Sequence, residues 1–307
     1  MKKLFMAVIA LMMTISASAQ FYIYCSDGNV IKVDSISMIA PTPAAGIGAF
    51  SVSATKQVTF SPGNLQYTQS TNTWSFASAQ YEVLGTDNVI GGTVTSDEYG
   101  YDKSGTALAD KVDLFGWSTS ATHFGVSTST DYNDYSGSFV DWGTNKIGND
   151  APNTWRTLSY DEWYYLRYTR TNADALCGVA QVNGVNGLIF LPDNWTCPEG
   201  VTFKSGFHSS YGVDYYAAYQ TFTAEQWAKF ETAGAIFLPA AGRRYGSTVS
   251  GVQGRGYYWS ATEYGSYGAY DLGFVSDGAS MANYNHSYGL SVRLVNRIIK
   301  VRSVSLS

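Results

Sequence analysis

The residue types that most often carry out chemistry are few and scattered in this chain. Its three histidines, His123, His208 and His286, lie far apart, and no H-E-x-x-H pattern includes any of them. This spacing does not predict a transition-metal site, because metal-binding histidines usually occur at short, characteristic separations. The G-x-S-x-G turn of α/β-hydrolases does not occur in the sequence either. We therefore expect a protein that is not an enzyme and that has no metal ion or cofactor.

Several carboxylates have a structural explanation from their local sequence alone. Glu162 and Glu225 fall within Ser159–Glu162 and Thr223–Gln226, which have the form of helix capping boxes. Asp141 and Asp193 carry oxygen atoms that suit calcium, but turn capping is the preferred interpretation. The carboxylates therefore predict helix and turn caps rather than catalytic acids.

The stretch Gly256–Val295 is the strongest candidate for a functional surface. Tyr270, Leu272 and Phe274 alternate as in a strand with one face toward the core, which leaves residues 269, 271, 273 and 275 for solvent or a ligand. Surfaces rich in Tyr, Ser, Gly and Asn are typical of binding sites, although a ligand-free sheet edge could have the same composition. The predicted ligand-binding residues are Tyr257, Tyr264, Tyr267, Asp271, Gly273, Val275, Asp277, Ser280, Asn283, Tyr284, Asn285, His286 and Tyr288.

The rest of the chain predicts the elements that hold this stretch in place. Short strands are indicated from Phe50 to Leu84, and helices begin at the two capping boxes. Leu188–Leu191 and Ala235–Pro239 read as buried strands, and Trp117 and Trp142 as core residues. Strands, helix, strand, helix and a final antiparallel set form an α+β pattern.

The beginning of the chain has the features of a secretory signal peptide. Lys2 and Lys3 precede an apolar run, Leu4–Ile15, and Ala17-Ser18-Ala19 gives an A-x-A cleavage pattern. We expect a signal peptide at residues 1–19, a β-hairpin at 20–39, a linker at 40–49, the main domain at 50–296 and a tail at 297–307. No other stretch is long and apolar enough for a transmembrane span. The protein should thus be secreted, periplasmic or on the outer cell surface.

The net charge argues against one class of partner, and the cysteines allow one disulfide. The formal net charge is −5 and there is no long basic run, which argues against nucleic acid. Cys177 and Cys197 lie in one segment and can form a disulfide after export, but buried free thiols are an equally ordinary outcome. The expected partner is an unknown protein or glycan ligand on a cell or phage surface.

A series of short motifs resembles a known family. The motifs are Val58–Tyr67, Asp113–Trp117, Trp155–Leu158, Glu162-Trp163, Gly187–Asp193, Phe237–Gly242, Tyr258–Thr262 and Ser291–Val295. Together they resemble the Fibrobacter succinogenes major paralogous domain family, whose relatives include secreted proteins of gut Bacteroidetes. The resemblance covers roughly residues 50–296. It implies an α+β, C-type-lectin-like fold of the formylglycine-generating-enzyme type, with short antiparallel strands, two main helices and long loops.

The C-terminal part is also similar to the variable proteins of diversity-generating retroelements. Randomised codons in those proteins do not encode Lys, Glu, Gln, Trp or Met, and between Tyr264 and Tyr288 only Met281 falls in that set. The similarity implies a binding surface that varies, although glycine-rich loops can lack these residues by chance. Two alternatives stay open: a structural cell-surface protein, and an enzyme related to the oxidases of that fold. Those oxidases need a C-terminal cysteine pair, and no cysteine follows Cys197.

Overall fold

The computed structural model describes residues 48–85, 110–121 and 124–298, together with the backbone of two strands nearer the N-terminus. These two strands, β1 (Phe21–Tyr24) and β2 (Val30–Val33), pair antiparallel and lie where the sequence predicts a hairpin. The other described elements belong to a second unit, Pro41–Ile298. The predicted signal peptide, most of the linker and most of the C-terminal tail lie outside the described residues.

The second unit is built mainly from short strands. They are β3 (Phe50–Ser51), β4 (Gln57–Phe60), β5 (Leu65–Thr68), β6 (Thr73–Phe76), β7 (Lys111–Val112), β8 (Leu114–Phe115), β9 (Cys177–Val182), β10 (Val185–Phe190), β11 (Thr221–Phe222), β12 (Ile236–Pro239), β13 (Ala241–Tyr245), β14 (Thr248–Val252), β15 (Gly256–Tyr264), β16 (Gly268–Val275), β17 (Gly278–Asn285), β18 (Tyr288–Ser291) and β19 (Val295–Arg297). The helices are α1 (Tyr160–Tyr164), α2 (Asp214–Tyr219) and α3 (Ala224–Thr232), with a π-helical turn, Tyr165–Thr169, after α1 and 3₁₀ turns at Tyr132–Tyr135 and Trp142–Thr144. Among the helices of the described chain, none is long and apolar enough to span a membrane.

The strands of this unit form four sheets. The largest has seven strands in the order β14-β13-β18-β15-β16-β17, with β8 paired to β18. A four-stranded sheet has the order β11-β9-β10-β12, and two three-stranded sheets have the orders β19-β4-β3 and β6-β5-β7. β19 includes Arg297, so the first residue of the predicted tail completes a sheet edge beside β4.

The predicted α+β, C-type-lectin-like fold is wrong for the described residues. The structure is mostly β, with 36% strand and 15% helix, and its sheets include a curled half-barrel. Both capping boxes are present, with Ser159 and Thr223 as the N-cap residues, but α1 has only five residues and α3 only nine. Helices this short cannot supply a full layer of the domain. The abundance of tyrosine, which favours strands, instead extends the sheets.

The seven-stranded sheet is packed on both of its faces. Tyr258 and Leu272 contribute to one core cluster, which includes Trp163 from α1. Trp259 and Ala269 contribute to a second cluster on the other face, together with Trp117 and Trp142. The core positions predicted for Trp117 and Trp142 are confirmed, since both are almost fully buried. Packing on two faces fixes the positions of β15 and β16, because protein interiors are dense and deform little.

Candidate functional site

The register of β15, β16 and β17 decides which face each predicted binding residue occupies. Tyr257 lies opposite Gly273, and Asp271 lies opposite Ala282. Paired residues share a face and successive residues alternate, so Leu272 points the other way. We call the face that carries Tyr257, Asp271, Gly273, Ala282 and Tyr284 the Tyr257 face.

The predicted binding residues differ widely in exposure. The exposed ones are Tyr264, Tyr267, Asp277, Ser280 and Asn283. The half-buried ones are Gly273, Val275, Tyr284, Asn285 and Tyr288, and the buried ones are Tyr257, Asp271 and His286. The expectation that residues 269, 271, 273 and 275 all face solvent or a ligand is therefore wrong in part. Ala269 and Asp271 are fully buried, because the second core cluster covers this end of the Tyr257 face.

A cation from a neighbouring strand completes the open end of the Tyr257 face. Arg243 on β13 donates a hydrogen bond from Nη1 to the Tyr284 hydroxyl at 2.6 Å. Its guanidinium carbon lies 5.9, 5.2 and 5.5 Å from the ring centres of Tyr257, Tyr284 and Tyr288. These distances are in the range of favourable cation–π contacts. The half-buried Arg243 is thus held in one position by three tyrosines.

Arg255 extends these contacts along the face. Its Nε donates to the Tyr211 hydroxyl at 3.0 Å. Burial disfavours the charge of Arg255, but its interactions with Tyr257 and Tyr211 raise its pKa above the ordinary arginine value. The rings of Tyr257 and Tyr284 pack edge to face, with their centres 5.1 Å apart. Arg243, Tyr284, Tyr257, Arg255 and Tyr211 therefore form one continuous set of hydrogen-bond, ring and charge contacts, which we call the arginine–tyrosine chain.

Asp271 lies on the same face without a hydrogen-bond partner. It is fully buried, and neither carboxyl oxygen has a hydrogen-bond partner among the residues that the structure describes. Burial raises the pKa of the Asp271 carboxyl to about 8, so the group is mostly protonated at neutral pH. Leaving a buried polar group unpaired typically costs roughly 1–3 kcal/mol. Asp271 is thus a source of instability in an otherwise well-packed sheet.

A gap in the side chains opens beside this carboxyl. Gly273 is only half-buried, and a methyl group placed on it would lie 3.5 Å from Asp271 Oδ2, 3.6 Å from Tyr257 Cδ1 and 3.8 Å from Ala282 Cβ. These are ordinary van der Waals distances, so the space takes a group of about methyl size. We call this space the Gly273 notch.

Other predicted binding residues lie apart from the arginine–tyrosine chain. Tyr264 packs edge-on against Tyr270 at 5.0 Å between ring centres. The ring centres of Tyr267 and Tyr132 lie 5.7 Å apart. The Tyr132 hydroxyl accepts a hydrogen bond from Asn285 Nδ2 at 3.2 Å. These residues surround the turn between β15 and β16. The predicted set is therefore divided between two areas rather than joined in one surface.

His286 has a packing role in the second core. Its ring stacks on Trp117 at 4.5 Å between centres, and its Nδ1 lies 3.3 Å from the Tyr135 carbonyl oxygen. Burial lowers the pKa of His286 below its ordinary value. The structure therefore gives His286 no position on the open part of the Tyr257 face.

The two calcium candidates are used as caps and hydrogen-bond acceptors. Asp141 accepts hydrogen bonds from the backbone N–H groups of Gly143 and Thr157, at 2.8 and 2.9 Å. Asp193 accepts from Ser51 Oγ at 2.7 Å and forms an ion pair with the buried Arg170 at 3.2 Å. Turn capping is confirmed for Asp141, whereas Asp193 binds side chains from distant segments instead of capping its own turn.

Of the two alternatives left open for Cys177 and Cys197, the structure has the free thiols and not the disulfide. Cys177 faces the first core cluster, whereas Cys197 is exposed and its thiol lies 3.4 Å from the Val201 carbonyl oxygen. The two side chains thus occupy different environments. Burial raises the pKa of the Cys177 thiol to about 12.

A surface groove in the described part of the chain lies outside this area. It has a volume of about 770 Å³ and is lined by Gly200–Lys204, Tyr219–Phe222 and Gln226. Lys204 already covers the Tyr219 ring at 3.8 Å. None of the described lining side chains is buried and unpaired, so the groove lacks the signature that marks Asp271. We therefore place the candidate site on the Tyr257 face.

Arg243 and Arg255 were not among the predicted site residues. The segment Ala240–Gln253 has the appearance of a loop in the sequence, although it forms β13 and β14. The sequence signal for a hairpin here was Gly246. In the structure this glycine adopts a φ of 57° in the turn between β13 and β14. A hairpin at that turn would have placed Arg243 on a strand.

Comparison with known proteins finds a likeness in the same part of the chain. A family model described as a domain of unknown function (DUF8237) matches residues 218–295. The matched segment contains Arg243, Arg255, Asp271 and Gly273, and it covers less than half of the 307 residues. No curated protein matches the chain, and no solved structure does.

Proposed function

We propose that this chain is an exported, non-catalytic ligand-binding protein of the adhesin or receptor type, with its site on the Tyr257 face. The observation that carries the proposal is that Asp271 is buried without a partner among the described residues, on the face whose open end carries the half-buried Arg243. A side chain that lowers stability is most readily explained where function needs it. Export is supported by the signal-peptide features of residues 1–19.

The composition and rigidity of the site also support binding. Arginine and tyrosine are enriched among residues that contribute most to binding energy. Arg243 is already held by Tyr284 and by the rings of Tyr257 and Tyr288. Little side-chain entropy is then lost when a ligand binds, which favours affinity.

The residues around the β15–β16 turn support an additional element of this proposal, a surface that varies between copies of the gene. Tyr264, Tyr267 and Asn283 are exposed and lie in the segment that lacks Lys, Glu, Gln and Trp. Exposed substitutions usually change stability by less than about 0.5 kcal/mol. Population sequencing tests this element: variation should concentrate at these codons and spare Leu272 and Phe274. Invariant codons would contradict the proposed variation and would not bear on the proposed ligand site.

Binding to glycan and protein arrays tests the main proposal. The mature chain should bind a ligand from a cell or phage surface, and Arg243→Ala should lose that signal. Lys146→Ala is the matched control, because Lys146 is an exposed cation outside the Tyr257 face and its loss changes the net charge equally. Equal binding by both variants would place the site elsewhere. No ligand on any surface would favour the structural alternative.

A further inference from the structure

The chemistry of the Gly273 notch restricts what can enter it. Because Gly273 has no Cβ and is half-buried, a ligand group can approach its backbone in the notch, on the side of Asp271 Oδ2. A protonated carboxyl has one O–H donor and free acceptor positions. A hydroxyl group both donates and accepts, so it can pair with Asp271 Oδ2 in either protonation state of the carboxyl. An ammonium group only donates, and a carboxylate only accepts.

Arg243 adds a requirement for negative charge in the same ligand. Within the described chain, none of the salt bridges involves Arg243, and its one hydrogen bond uses Nη1. Its remaining N–H groups keep the planar fork that matches a carboxylate in two parallel hydrogen bonds. The arginine–tyrosine chain thus offers a preformed site for a carboxylate near the notch.

The tyrosine rings favour a ligand with a flat apolar side. Tyr284 and Tyr288 are both half-buried, and their ring centres lie 5.1 Å apart. Aromatic rings that line a site, with a few fixed polar groups, are the usual composition of a small-ligand subsite. A sugar ring offers C–H groups on its face and hydroxyls at its edge, which suits both parts of this surface.

We propose that the Tyr257 face binds a carboxylate-bearing sugar, such as a uronic or sialic acid residue of a surface glycan, with the carboxylate on Arg243 and a hydroxyl in the Gly273 notch. This inference rests on the proposed function and names the ligand class for the same site. An acidic peptide would also reach Arg243, but a sugar combines the carboxylate with an apolar ring face for the tyrosines and with hydroxyls at the ring edge for the notch.

Matched pairs of sugars test the carboxylate. Calorimetric titration should detect binding of trigalacturonic acid and not of its methyl ester, or of sialyllactose and not of lactose. Arg243→Ala should raise the dissociation constant of the acidic sugar by about tenfold or more, which is the effect of losing a charge-assisted hydrogen bond. Lys146→Ala should leave its affinity unchanged. Equal binding of an acid and its neutral counterpart would overturn the assignment.

Two glycines give a matched test of the notch. Gly273→Ala fills the notch at ordinary contact distances, so it should fold normally and lose about tenfold or more in affinity. Gly278→Ala adds the same methyl group on the same face, where nothing lies within 4 Å, and should bind as the wild type does. Wild-type affinity in Gly273→Ala would show that no ligand group enters the notch.

Substitution of Asp271 separates hydrogen bonding from shape. Asp271→Leu keeps the branched shape in a larger side chain and removes an unpaired polar group, so it should fold and lose binding. Asp271→Asn retains a donor and an acceptor, and it should recover part of the affinity that Asp271→Leu loses. Equal affinities in the two variants would exclude a hydrogen bond from Asp271 to the ligand.

The outcomes distinguish this inference from the proposed function. If no acidic sugar binds but another ligand depends on Arg243, the binding function stands and the sugar assignment fails. A peptide ligand that loses affinity in Arg243→Ala but not in Gly273→Ala would be such a case. If an acidic sugar binds equally to wild type, Arg243→Ala and Gly273→Ala, the sugar assignment to this face fails and the binding site lies elsewhere on the protein.

Discussion

Trp259 and Asp271 lie directly opposite each other on β15 and β16, and both are buried, but only the tryptophan is paired. Trp259 Nε1 donates to the Phe115 carbonyl oxygen at 2.6 Å. Neither oxygen of Asp271 has a partner. One cross-strand pair therefore joins a satisfied and an unsatisfied polar group, and the two should respond to substitution in opposite directions.

Asp271→Asn should stabilise the protein, and increasingly so as the pH rises from about 4 to about 8. The ordinary carboxyl pKa of 3.8 applies in the unfolded chain, whereas burial raises the pKa of Asp271 to about 8 in the folded protein. Between these values only the unfolded chain has released the proton, so the free energy of unfolding falls by ~1.4 kcal/mol per pH unit. Asparagine does not titrate, and the variant should lack this slope.

Urea unfolding at several pH values in that window measures the effect on Asp271. Asp277→Asn is the control, because Asp277 is an exposed carboxylate just beyond the end of β16. It should retain the pH slope of the wild type. If Asp271→Asn and Asp277→Asn have the same slope, burial of Asp271 does not govern its ionisation.

Trp259→Ala should lower the free energy of unfolding by ~3–5 kcal/mol, because it leaves a large cavity in the second core and removes the donor to Phe115. Tyr264→Ala removes another aromatic side chain from the same strand, but Tyr264 is 47% exposed. Its cost should be within about 0.5 kcal/mol. Chemical unfolding of both variants gives the comparison. Similar losses would mean that Trp259 does not hold the sheet to its core.

Local signals predicted individual elements well. The alternation at Tyr270, Leu272 and Phe274 correctly predicted a strand with Leu272 and Phe274 in the core. It could not predict the other face, because small residues such as Ala269 and Gly273 fit close packing as well as solvent. Whether that face is covered depends on Trp117 and Trp142, which are distant in sequence.

Contacts between distant segments account for the other errors. Arg293, for example, donates to Gln80 Oε1 at 2.7 Å, a partner far away in the sequence that no local pattern predicts. Burial lowers the pKa of Arg293 to about 10, with neutral oxygens as its hydrogen-bond partners. The fold class failed for the same reason, since capping boxes reveal where helices begin but not how many strands surround them. The arginine–tyrosine chain likewise joins segments far apart in sequence.

Glu162→Ala should cost on the order of 1–3 kcal/mol, because it removes several hydrogen bonds from one side chain. Glu162 accepts two hydrogen bonds from Arg156, at 2.6 and 2.8 Å, and a third from the Ser159 backbone at 3.0 Å. Glu162→Gln retains an acceptor for the cap and loses the ion pair, so its loss should be smaller. Thermal unfolding of both variants checks this order. If both variants lose the same stability, the whole effect comes from the negative charge of Glu162.

The two thiols should react with maleimide in opposite ways in the native protein. Cys197 is exposed and should be labelled, whereas Cys177 is buried and burial raises the pKa of its thiol to about 12, which suppresses the reactive thiolate. Peptide mapping by mass spectrometry reads each site separately, including Cys25, which lies outside the described residues. Labelling of Cys177 should require denaturation, and Cys197→Ser should lose only the native label. If Cys177 and Cys197 both resist labelling in the denatured protein until a reductant is added, the bridge predicted from the sequence does form after export.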